Sequence, residues 1–83
     1  MRSQDILKVK KLTIRELEVG NKGTVEEIKG NKEIQLKLRE LGIFPGTEIE
    51  VIIKDDLNNI ICLNDRVRII VGEELLNYIF LKK

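Results

Sequence analysis

Lys37 to Thr47 reads KLRELGIFPGT, and the change of character at Gly42 decides how the rest of the chain is arranged. Upstream of it Asn31 is placed to N-cap a helix in which Ile34, Leu38 and Leu41 recur at i, i+4 and i+7, one face of the α-helical period. Gly42 follows directly, and a residue without Cβ enters the left-handed conformation that ends many helices at no steric cost. In the Schellman arrangement the next residue packs back on the third residue before the cap, which pairs Ile43 with Leu38. Phe44-Pro45-Gly46-Thr47 then carries Pro second and Gly third, the pattern of a type II turn. The stretch therefore predicts a helix stopping at Leu41, an apolar residue folded back beneath it, and a tight reversal. Leu38, Leu41, Gly42, Ile43, Pro45 and Gly46 form this structural motif.

Downstream, TEIEVIIK alternates with Ile49, Val51 and Ile53 on one side of a strand, and DDLNN is a polar loop. Ile60 to Leu63 and Arg66 to Val71 flank Asn64-Asp65, read as a two-residue hairpin turn that sets 62 against 67 and 60 against 69. That parity turns Ile60, Cys62, Val67 and Ile69 inward and leaves Ile61, Leu63, Arg66, Arg68 and Ile70 on an unusually apolar outer face. Gly72 to Leu76 predicts a helical turn, and NYIFLK a closing strand with Ile79 and Leu81 inward. Toward the N-terminus, TVEEIKG is a first strand whose imperfect alternation has room for a bulge, Val19 to Gly23 is a turn, and Thr13 to Glu16 has capping-box spacing for one turn of helix. Residues 1–10 are a leader and 11–83 one domain. The sum is a mainly β protein of about five short strands, closed as a small β-barrel, with one α-helix between the first and second strands and short helical turns.

Composition excludes several classes of function. A chain of 83 residues with 42% hydrophobic and 35% charged content is a folded domain near the lower size limit for a core-stabilised protein. Lys and Arg number 15 against 14 Asp and Glu, a formal net charge of +1, so no global field draws it to phosphate or an acidic membrane. A single cysteine and a charged N-terminus without an apolar signal core point to the cytoplasm. Histidine is absent and Cys62 is expected in the core, so soft and borderline metal ligands are missing and no tight metal site, cofactor or catalytic nucleophile is expected. VGNKGT lacks phosphate-loop spacing.

The run LxxLGIxPGTxIEV from Leu38 to Val51, preceded by KLTIRELEVGNKGTV and followed by RIIVGEELLNYIFL, resembles the ferrous iron transport protein A (FeoA) family over residues 11 to 82. The resemblance implies an SH3-like barrel, similar to the C-terminal domain of iron-dependent repressors of the diphtheria-toxin-repressor type. With no DNA-binding helices preceding it, the resemblance implies a non-enzymatic accessory of the membrane ferrous-iron transporter, acting on its cytosolic GTP-binding domain. A nucleic-acid-binding barrel is the alternative suggested by the Gly-centred VGNKGTVEEIKG hairpin, weakened by neutral charge and few aromatic residues. A stand-alone metalloregulator-type domain is a further one.

If docking is the role, the anchors are apolar residues that the core does not claim. Leu36 falls well over 90° from the Ile34, Leu38, Leu41 stripe and is either covered by the leader or open to a partner. Phe44 stands at the tip of the loop before Pro45, with Lys37 and Arg39 as a polar rim, or as ordinary solubilising charge. Arg66 and Arg68 either snorkel over their apolar neighbours or meet a partner.

Overall fold

The computed structural model describes residues 12–82; the leader expected at residues 1–10 lies outside them. The chain runs β1 (Leu12–Thr13), a 3-10 turn (Ile14–Glu16), β2 (Lys22–Ile28), α1 (Lys32–Glu40), β3 (Glu48–Lys54), β4 (Asn58–Leu63), β5 (Val67–Gly72), a second 3-10 segment (Glu73–Tyr78) and β6 (Ile79–Lys82). The strands form one antiparallel sheet in the order β1-β6-β2-β3-β4-β5. The expected closed barrel is therefore corrected to an open sheet. Leu12–Thr13 is a short strand that the sequence pattern did not separate from the capping box. Among the described residues it pairs with Leu81 and Phe80, ends the sheet beside β6 and does not bridge to β5. Because of it, α1 lies between the second and third strands instead of the first and second.

The stretch around Gly42 forms as its residues dictate. Asn31 Oδ1 accepts from the Ile34 N–H at 2.9 Å, capping α1. At the other end the Ile43 N–H donates to Leu38 O and the Gly42 N–H to Arg39 O, both at 2.9 Å, the paired bonds of a Schellman cap. Gly42 has φ +91° and Gly46 φ +97°. The Thr47 N–H closes the Phe44-Pro45-Gly46-Thr47 turn on Phe44 O at 3.0 Å. Leu38 and Ile43 are buried together with Ile49, Val51, Ile79 and Leu81 in the core.

Strand parity departs from the sequence reading in β4, while β5 keeps Ile69 inward and Arg68 and Ile70 outward as expected. Ile61 and Leu63 are buried, whereas Ile60 and Cys62 are only half-buried on the opposite face. Asn64 and Asp65 have φ of +53° and +58°, and the Arg66 N–H bonds Leu63 O at 2.9 Å, the signature of a type I′ turn. Yet Leu63 faces Val67 and Cys62 faces Arg68, so Arg66 is an extra residue in the hairpin. That insertion shifts the register by one, and a one-residue shift moves side chains to the other face. Ile69 and Val71 thereby join Ile61 and Asn59 inside, while Val67, at the turn, is exposed.

The parity of β4 is set from β3. Glu48 and Asn64 exchange two hydrogen bonds, Asn64 N–H to Glu48 O at 2.8 Å and Glu48 N–H to Asn64 Oδ1 at 2.9 Å. Ile49 consequently sits opposite Leu63, and Val51 opposite Ile61. A bulge between Val51 and Ile53 breaks the alternation of β3, and Ile53, expected inward, is exposed. The bulge in β2 falls between Val25 and Glu27. Gly23, read as part of a turn, lies within β2, where a Cβ would come within 3.1 Å of Leu81 Cδ1.

Candidate functional site

The outer face of α1 and the following loop present apolar side chains on a held backbone. Leu38 turns into the core and gives α1 its orientation, so Leu36, two residues earlier, points out and is 57% exposed. Phe44 is 49% exposed, although its backbone is fixed from several sides. Its N–H donates to Thr47 Oγ1 at 3.4 Å, and that hydroxyl donates to Gly42 O at 3.3 Å. Thr47 is itself buried. Beyond the turn, the Gly46 N–H bonds Val25 O and the Val25 N–H bonds Thr47 O, both at 2.8 Å, which ties the loop to β2. An exposed ring on a loop anchored this way loses little further freedom when it is covered.

Three shallow hollows meet around these residues. A cleft of about 280 Å³ runs between β2 and the loop, lined by Glu26, Gln35, Arg39, Phe44 and Pro45 among others. A second, of about 300 Å³, lies over Lys32, Gln35, Leu36 and Arg39. A third, of about 320 Å³, has Leu36 and Lys37 beside Glu33, Glu40 and Leu75. Arg39 thus links the Phe44 cleft to Leu36, and Leu36 links Arg39 to Lys37. All four residues singled out in the sequence fall on one continuous surface. Gln35 was not among them, yet it borders both clefts that Arg39 borders, and its Nε2 donates to Gly30 O at 2.9 Å. The signal available was its spacing, one helical turn before Arg39. Ile43 and Pro45, read as structural, also line the first cleft.

Cys62 is a correction to the sequence reading. It lies half-buried on the face opposite the core, between Glu50 of β3 and Arg68 of β5. Among the described residues no group of three or more His, Cys, Asp or Glu is arranged to hold a metal ion. No helix among them is long and apolar enough to cross a membrane.

A family model, the FeoA domain, matches residues 12–83. The chain belongs to the FeoA family. A solved iron uptake regulatory protein, FeoA, is 28% identical with a TM-score of 0.78, covering 86% of this chain and 95% of that one. A FeoA-like protein from Clostridium acetobutylicum is 21% identical with a TM-score of 0.78, over 89% of this chain and 87% of its own. A manganese-dependent transcriptional repressor in complex with manganese has a TM-score of 0.82 at 13% identity; the match covers 90% of this chain but 37% of the repressor, and is a likeness of fold alone. A comparison with curated protein sequences finds no match. The FeoA match lies over the SH3-like fold expected from Leu38 to Val51, here with its sheet open.

Proposed function

We propose that this FeoA protein is a non-enzymatic, cytoplasmic accessory of ferrous iron transport that docks on the cytosolic GTP-binding domain of the membrane ferrous-iron transporter and modulates it. The observation that carries this reading is the surface of Leu36, Lys37, Arg39 and Phe44: two exposed apolar side chains on hydrogen-bonded backbone, joined by hollows with a charged rim. Interfaces concentrate energy in a few such anchors. Family membership supports the iron-transport setting.

The test is affinity for the transporter's cytosolic domain. Leu36→Glu and Phe44→Glu should each weaken binding by about 2 kcal/mol or more while leaving circular dichroism and melting unchanged. Leu38→Glu, which buries a charge in the core, should instead unfold the domain. Wild-type binding by both surface variants would refute this docking face.

A further inference from the structure

We propose that the free edge of β5 is a second docking site, which takes an extended peptide segment of alternating acidic and apolar residues as an additional strand. β5 ends the sheet: β4 pairs it on one side and, among the described residues, no strand pairs it on the other. Among the described residues, none of the backbone hydrogen bonds outside the strand ladders involves residues 67–72. An unpaired row of N–H and C=O groups is a template for strand addition, and natural proteins ordinarily cover or shorten such edges. Here the edge spans six residues and exposes Val67 to 53% and Ile70 to 64%.

Charge names the occupant. Arg66 and Arg68 are exposed, and neither makes an ion pair or side-chain hydrogen bond among the described residues. The nearby carboxylate of Asp65 is taken by Lys22 Nζ at 3.1 Å. Glu50 lies across β4 from Arg68, two strand spacings or roughly 10 Å away. A strand added to β5 would stand one spacing from Arg68, with Arg66 in the turn at its end, and acidic side chains at alternate positions would fall on the face of Arg68. The intervening residues would fall on the face of Val67, Ile69 and Val71. A second copy pairing through its own β5 would offer Arg68 a strand, VRIIVG, that holds no acidic residue, so an acidic partner segment fits better. This site is independent of the surface on α1.

Capped peptides of the length of β5, one alternating Glu with Val and one alternating Lys with Val, test the proposal against the intact protein by calorimetry and amide hydrogen exchange. The Glu peptide should bind at least about tenfold tighter than the Lys peptide and slow exchange within residues 67–72. The Arg66→Glu/Arg68→Glu double variant should reverse that preference, and Leu36→Glu should leave it unchanged. Equal affinity for the two peptides, or protection confined to residues outside β5, would overturn the proposal. So would a concentration-dependent dimer that protects β5 without peptide, since the edge would then belong to a second copy.

Discussion

Gly42 sits at φ +91°, and a Cβ placed on it would lie 3.4 Å from Leu63 Cδ1. The space is tight but not closed, so the cost of a side chain there is mostly conformational. A β-branched residue is poorly tolerated in the left-handed region. Gly42→Val should therefore lower stability by more than about 1 kcal/mol, read as a fall in the denaturation midpoint without a change of slope. A melting curve like that of the parent would remove the helix-cap account. Gly23 requires glycine for a different reason, close approach of Leu81 across the sheet. Such a requirement leaves no local mark, which is why Gly42 was legible from its neighbours and Gly23 was not.

At the scale of elements, the β4–β5 hairpin carries one inserted residue. Arg66 has an exposed side chain, so Arg66→Ala should change stability by no more than about 0.5 kcal/mol. Deleting Arg66 leaves Asn64-Asp65 as a two-residue turn between Leu63 and Val67, which already face each other, so the pairing of Cys62 with Arg68 and of Ile61 with Ile69 is kept. The deletion should keep a cooperative thermal transition near that of the parent; loss of that transition would show that the extra residue is needed to close the hairpin. The sequence reading placed Ile60 and Cys62 inside because both parities of IICL are apolar and the turn residues favour a two-residue loop. What overrides it is the Asn64–Glu48 pair of hydrogen bonds, which couples residues 16 apart.

At the scale of the whole molecule, no group of three or more His, Cys, Asp or Glu is gathered to hold a metal among the described residues. Histidine is absent from the sequence, and Cys62 stands alone between Glu50 and Arg68. Ferrous iron or zinc titrated into the reduced protein should bind weakly, because imidazole and clustered thiolate are the ligands that such ions favour. A stoichiometric site of micromolar or tighter affinity, on the order of −8 kcal/mol, would show a direct role for the ion. The open sheet has its own consequence: among the described residues its two edges differ, β1 spanning two residues and β5 six, so β5 is the longer edge for a partner strand to extend.

The helix, its cap, the Pro-Gly reversal and the inward residues of β6 were determined by the sequence alone. Each rests on interactions within a few residues, where backbone sterics and a helical or strand period are sufficient. Fold membership was legible for the same reason, in the run from Leu38 to Val51. Tertiary structure alone decided the faces of β4, the place of Gly23, the exposure of Ile53 and the opening of the sheet. Those depend on bulges and on pairing between distant strands. A shift of one residue there reverses which side is buried, while the apolar residues on both sides leave the sequence pattern unchanged.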